Sequence, residues 1–411
     1  MAGQEFQYIQ DILKEFYAPA IVNQVYHKAP LWAQIEKKET SMQGKRVTIP
    51  VQTAFTESVG ARKANDYSLP TAGRNTFNQA YIYMKRNYGR IQVDGFSIES
   101  AQGKGGWVDI VSSETKGVSN AFAMDIDRQC MGRGDGVIGH VASVSTTAVT
   151  VDNPLGIVAD TSNVAKWFRV GQVLDIYNGA SVVYGGATAL TVESISGAVV
   201  TMASTAASAA DGYTVRRTLT YGTTEARAGE MMGLDGIIDS ADTDLGDFEG
   251  IDRTANEIWQ AYESSTSTVV SETAIQEALD AIDQRTDGEA VDLMLTTYAI
   301  RNKLIDLIRA DRQIDTMDLK AGWKAIKYVG GAAGEIPIMV HKNCPLGYIY
   351  FIALPHLKFY TLRKLVWDNK GGGVVKPVAG YDAYEAWFKM YANLGCDCSN
   401  SMGKLTAVTT A

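Results

Sequence analysis

Residues 135–217 constrain the fold more than any other part of the chain. This stretch is rich in Val, Thr, Ser, Ala and Gly and holds one lysine, Lys166, and one proline, Pro154. Runs with strand character ("HVASVSTTAVTV", "QVLDIY", "ALTVESI", "AVVTMA", "YTVRR") succeed one another at short intervals, with turn residues between them. That pattern predicts an all-β module, a small barrel or sandwich. The chain before it is different in kind. Trp107, Val111, Val118, Phe122, Ile126 and Cys130 recur about every fourth residue, which predicts a long helix over 107–131 bounded by "GGW" and "MGRGDG". After the module, "TLTYGTTEARAGEMMGLDGIID" returns to mixed character, so the β module interrupts a domain that continues on its far side.

The N-terminal segment places Phe6, Ile9, Leu13 and Phe16 at helical spacing until Pro19 and Pro30, which predicts a short amphipathic helix on an arm. Residues 45–53 alternate Val47, Ile49 and Val51 with polar residues, a half-buried strand with Pro50 inside it. A long polar excursion separates it from "YIYMKRNYGRIQVDGF" at 81–96, and the two predict a protruding hairpin. Beyond residue 218, "SETAIQEALDAIDQRT" and "YAIRNKLIDLIRADRQ" are predicted helices with the strand "AVDLMLTT" between them, and "YDAYEAWFKMYANLGCDCSN" is a final strand region. The expected class is α+β.

With 411 residues and a net charge of −8, the chain has room for several cores and lacks the basic surplus of a phosphate-backbone binder. The first residues show no signal peptide, and no apolar run approaches eighteen residues, so the expectation is a cytoplasmic chain with no membrane span. Catalytic constellations are missing. There is no GxxxxGK[ST], HExxH, GxSxG or CxxC, and His27, His140, His341 and His356 are scattered. "GRGDGV" lacks the last glycine of a dinucleotide loop and comes after a helix. Cys130, Cys344, Cys396 and Cys398 form no disulfide framework, and the CxC pair reads as part of a half-buried strand, not a zinc site. The acidic run "DSADTDLGDFEGID" fails as an EF-hand, because the sixth and twelfth places from Asp242 hold Asp247 and Arg253. A looser divalent site at Asp242, Asp244 and Asp247 stays open beside a solvated acidic loop. Neither an enzyme activity nor a cofactor is expected.

The order of elements resembles the tailed double-stranded-DNA phage major capsid proteins of the Hong Kong ninety-seven-like fold. The residues that carry the resemblance are "DRQCMGRGDG" closing the long helix, "GLDGIID", "AIQEALDAIDQRTDGEAVDLMLTTYAIRNKL" and "GGAAGEIPIMVHKNCPLGYIYFIALPHLKFY". The resemblance implies an N-terminal arm at 1–44, an extended loop at 45–97 and a spine helix of the peripheral domain at 98–134. It implies an inserted β domain at 135–217, a peripheral strand at 218–235, an axial domain at 236–375 and a return to the peripheral domain at 376–411. The implied function is a structural subunit that self-assembles into hexamers and pentamers of an icosahedral virion shell around viral DNA, without sequence readout. Separate scaffolding, portal and decoration proteins are the implied partners, and assembly is expected in the host cytoplasm. Lys63 falls near the loop tip, where the cross-linked member of the family carries its lysine, but no Asn or activating acid is assigned here and no cross-link is claimed. An encapsulin-like compartment shell is the alternative, and an α/β enzyme with a β accessory domain a more distant one.

"YIYMKRNYGRIQVDGF" admits two readings. Interleaved bases and aromatics suit a single-strand nucleic-acid platform, but the RNA-recognition signature is not completed. A strand laid over a neighbouring subunit uses the same residues better, since Tyr and Arg join large contact area to polar tips. The interface candidates are therefore Tyr81, Tyr83, Lys85, Arg86, Tyr88, Arg90 and, at the loop tip, Lys63.

Overall fold

A computed structural model describes residues 31, 34–39, 44–64, 66, 68–96, 106–156, 167–179, 181–182, 190–206, 209–242, 245–286, 291–311, 316–319, 323–330, 334–369 and 374–410. The expected amphipathic helix around Phe6–Phe16 lies outside the described residues.

The predicted long helix spans Gly106–Gln129, 24 residues, or roughly 36 Å at 1.5 Å per residue. Phe122, Ile126 and Cys130 of its apolar stripe are buried, with Val118 packed beside them. They lie on a five-stranded sheet. In it Glu36–Glu39 runs parallel to Leu357–Trp367, which pairs antiparallel with Ala383–Cys396. The other side of Ala383–Cys396 takes Lys85–Asp94 in an unbroken antiparallel register from Ala383↔Asp94 to Ala392↔Lys85, and Lys376–Pro377 pairs with its first residues. Phe388 stands edge-on to both Phe122 and Trp367, at centroid distances of 5.0 and 5.2 Å. Its ring covers Gly89, where a Cβ would fall inside the ring's van der Waals envelope.

A second, seven-stranded mixed sheet runs Tyr262–Ser264, Gly403–Leu405, Ile349–Ile352, Leu293–Thr296, Glu335–Val340, Trp323–Val329, Thr316–Leu319. Leu293–Thr296 is buried at every position, as suits a central strand covered on both faces. The helix Glu272–Thr286 turns Ile275, Ala278, Leu279 and Ile282 into the adjoining core, and Ile300 and Leu304 of the helix Tyr298–Asp311 belong to the same core.

The described strands between Val137 and Arg217 form a closed barrel. Its wall runs Thr214–Arg217, Val137–Ser145, Ala148–Asp152, Val199–Met202, Leu190–Ser196, Val173–Asn178 and back to Thr214–Arg217. Val149 and Val151, Leu174 and Ile176, and Val200 and Met202 alternate inward to fill it. Of the two expected architectures, barrel and sandwich, the module takes the barrel.

Three expectations need correction. The hairpin pairs Arg46–Ala54 with Thr76–Tyr83 only, and the rest of the quoted stretch, Lys85–Asp94, crosses into the five-stranded sheet. No strand forms within 218–235. There the backbone is satisfied by other elements: Leu234 N–H bonds Cys130 O at 2.8 Å, Met231 N–H bonds Gln129 Oε1 at 3.1 Å, and Met232 N–H bonds Asn393 Oδ1 at 2.9 Å. The sheets also divide the chain differently from the boundaries 236–375 and 376–411. Leu357–Trp367 joins the sheet beneath the long helix, and Gly403–Leu405 returns to the seven-stranded one.

Gly89→Ala tests the ring contact. Forcing Phe388 aside costs about 1–3 kcal/mol, to be read as a lower denaturation midpoint with unchanged secondary structure by circular dichroism.

Candidate assembly interface

The hairpin has two strands, too few to be stable without a packing partner. Residues 45–83 carry five bases (Lys45, Arg46, Arg62, Lys63, Arg74) against two acids (Glu57, Asp66), in a chain that is acidic as a whole. Phe55, Val59, Leu69 and Phe77 are 64–88% exposed. The tip is nevertheless ordered by its own polar bonds. Asn75 Oδ1 accepts Thr56 N–H at 3.0 Å, Ser58 Oγ accepts Gly73 N–H at 2.6 Å, and Arg62 Nε donates to Ser68 O at 2.8 Å. A shaped ribbon with uncovered apolar side chains is a surface prepared for contact. Lys63 is exposed on it.

The other candidates divide. Tyr81 and Tyr83 are half-buried, and Arg46 stacks its guanidinium 3.6 Å from the Tyr81 centroid while donating to Tyr83 Oη at 3.3 Å. Arg86, Tyr88 and Arg90 point to the exposed face of Lys85–Asp94, although Arg90 already pairs with Glu385 of its own chain at 2.5 Å. Lys85 belongs elsewhere. It is 3% exposed, and its ammonium donates to the carbonyls of Glu225 and Ala228. Its place at an interface between subunits is corrected: it bonds the base of the hairpin to its own chain. Strand parity carried that signal, because Lys85 alternates in step with buried Asn87, Gly89 and Ile91.

Around Lys85 lies a buried group of charges that the sequence did not single out. Glu225 Oε2 accepts Glu249 N–H, and Glu249 Oε1 accepts Cys396 N–H, both at 3.0 Å. Tyr81 N–H donates to Glu249 O at 2.6 Å. Burial pushes the Lys85 ammonium down to about 8, against the pull of Glu225. Burial likewise pushes Glu225 up to about 7, with Lys85 acting in the opposite direction.

The acidic run serves the fold. Asp242 Oδ1 accepts the N–H groups of Phe248 and Arg253, and Asp252 Oδ1 those of Thr254 and Ala255. Arg253, fully buried, donates to the carbonyls of Gly236, Ile237 and Ala241. Asp244 lies outside the described residues, and no group of three or more metal-ligating acids, histidines or cysteines gathers among the described ones. At the barrel's foot, Asp125 of the long helix binds Arg217 at 2.6 Å and Arg128 at 3.2 Å, and Arg128 reaches Glu230 at 2.5 Å. On the far side Trp167 donates to Asn343 Oδ1 at 3.3 Å, and Asn343 donates to Asp127, which also holds His341. No described helix is long and apolar enough to cross a membrane.

Lys85→Glu adds a third buried carboxyl beside Glu225 and Glu249 and costs about 3–5 kcal/mol, seen as a large fall in the melting temperature of the isolated subunit. Arg86→Glu with Arg90→Glu loses one exposed pair and costs about 1 kcal/mol or less in the same melt.

No family model and no curated protein matches the sequence. Among solved structures, the cyanophage A-1(L) capsid asymmetric unit is similar over 94% of this chain and 94% of that one, with a TM-score of 0.52 and 11% identity. The capsid of a native GTA particle (TM-score 0.46, 7% identity, 93% and 91% covered) and the holo-SrpI encapsulin of Synechococcus elongatus PCC 7942 (0.45, 8%, 93% and 88%) are weaker likenesses. A TM-score of 0.52 over nearly the whole of both chains gives this chain the fold of that cyanophage capsid subunit.

Proposed function

We infer that the chain is a major capsid protein, a structural subunit that closes with its copies into the shell of a phage virion. The observation that carries this reading is the hairpin, an ordered basic ribbon whose Phe55, Val59, Leu69 and Phe77 are uncovered within its own chain, on a fold shared with a phage capsid. Large exposed side chains on a thin ribbon gain burial only against another molecule. A second copy fits, since the hairpin is basic and the remainder of the chain carries the acidic surplus.

In this reading the hairpin lies across the next subunit, with Tyr81, Tyr83, Arg86, Tyr88, Arg90 and Lys63 as contact candidates, and repetition builds hexamers and pentamers. Double-stranded DNA fills the interior without sequence readout, and scaffolding, portal and decoration proteins are separate chains. The role is structural and needs no catalysis.

Electron microscopy of the purified protein tests it. Closed shells are expected, and a persistent monomer or dimer at high concentration overturns the reading. The contents separate the alternatives: DNA within shells formed in infected cells supports a virion, and a defined protein cargo supports an encapsulin-like compartment. Replacing residues 55–74 by a short turn is expected to abolish shells and leave the melting temperature of the subunit within a few degrees, because no described residue of the excised tip is buried.

A further inference from the structure

Two carboxyl groups sit where the hairpin meets the body. Glu225 is 5% exposed and Glu249 is 1% exposed. Each uses one oxygen to accept a backbone N–H, and the remaining ones, Glu225 Oε1 and Glu249 Oε2, have no hydrogen-bond partner. A buried carboxylate charge facing no donor is costly, and a proton removes the charge. The neighbouring cations bond chiefly to other acceptors, and act on the two carboxyls only through space. Lys85 gives its ammonium to the Glu225 and Ala228 carbonyls. Arg253 gives its two terminal nitrogens to three carbonyls and Ser399 Oγ, its Nε has no hydrogen-bond partner, and it faces Asp239 and Asp242 as well as Glu249. Asp397 is bound by His356 and Lys358, and the Cys396 thiol beside Glu249 is pushed up by burial. Among the described residues no ion pair reaches either glutamate.

The same two residues hold the hairpin. Glu249 O accepts Tyr81 N–H, Glu225 O accepts the Lys85 ammonium, and Gly250, at φ +78°, lets the loop press against the Tyr81 ring. Gly395 matters equally: a Cβ there would collide with Ile82 and crowd Glu249 Oε1.

We propose that Glu225 and Glu249 form a proton-operated clamp on the hairpin: protonated, they seat its root on the body, and ionised, their mutual repulsion and lost burial loosen it. Proton loss leaves two like charges side by side, while the ammonium of Lys85 and the guanidinium of Arg253 stay bound to carbonyls. The loop 247–250 is then driven outward, and it carries the acceptor of Tyr81 N–H with it. Burial raises both groups, Glu225 to about 7 from 4.5, and Glu225 adds to the rise at Glu249. The folded chain therefore binds more protons than the unfolded one across that window, and stability falls as pH rises through it. Lys85, lowered from 10.5 to about 8, acts in the opposite sense as its ammonium titrates near pH 8, so the loosening by the two glutamates is read below that pH.

Hydrogen exchange of the full-length chain, read on peptides covering 76–85 and corrected for intrinsic rate, tests the clamp. Protection is expected to fall several-fold between about pH 5 and pH 7, below the titration of Lys85. In the E225Q/E249Q double variant, which keeps the acceptor oxygens without the charge, protection is expected to be independent of pH. A flat wild-type profile, or a pH dependence that survives in the double variant, overturns the proposal. Should the double variant fail to fold, E225Q and E249Q are measured singly, and an unchanged midpoint in both overturns it equally. Because the readout is taken on the subunit, its failure leaves the shell reading standing, and a protein that forms no shells can still possess the clamp.

Discussion

The pairing of Lys85–Asp94 with Ala383–Cys396 is the contact on which the rest of the structure depends. It joins the first third of the chain to its last long strand, and it supplies the floor on which the long helix lies. Asn393 in that strand donates to Tyr83 O across 310 residues of sequence and accepts Met232 N–H, so one side chain ties together hairpin, body and the loop after the barrel. A fold closed by such distant contacts forms its sheet only when nearly all of the chain is present, which makes its folding slow by topology.

Charge is used in two ways within this frame. On the hairpin it is exposed and mostly of one sign, available to a partner. Inside, it is matched with care: Lys404, wholly buried, meets Asp235 at 3.3 Å and Asp239 at 2.9 Å, while Arg133 binds Asp235 from the other side at 2.5 Å. These buried pairs sit where the seven-stranded sheet meets the end of the long helix. Breaking one leaves an uncompensated charge, so they fix the relative placement of the parts more than they add net stability. Glu225 and Glu249 are the exception to that matching, and they lie at the joint from which the hairpin projects.

Much of the fold was legible in the sequence. The four-residue recurrence from Val118 to Cys130 belongs to a helix that faces one core, and the closely spaced strand-like runs of 135–217 belong to strands that share another, so local pattern reports both directly. The order of elements carried the capsid resemblance. What stayed hidden was pairing. Nothing local in "YIYMKRNYGRIQVDGF" distinguishes the half that stays in the hairpin from the half that crosses to Ala383–Cys396, because the partner strand lies some three hundred residues away. The candidate surface suffered from the same gap. Lys85 and Arg86 are neighbours of like charge, and only the parity of the strand, once its sheet is known, sends one inward and the other out. The loop 218–233 misled for a related reason, since its backbone bonds go to side chains and carbonyls of other elements and leave no periodic trace.

The barrel is closed by a strand that pairs on both sides, Thr214 facing His140 on one and Tyr177 on the other. Thr214–Arg217 consequently presents no row of vacant backbone donors and acceptors on either side. Wherever copies of this chain crowd together, open strand edges would be templates for fusing one copy to the next. Closing the ring with a doubly paired strand removes one such template from the module.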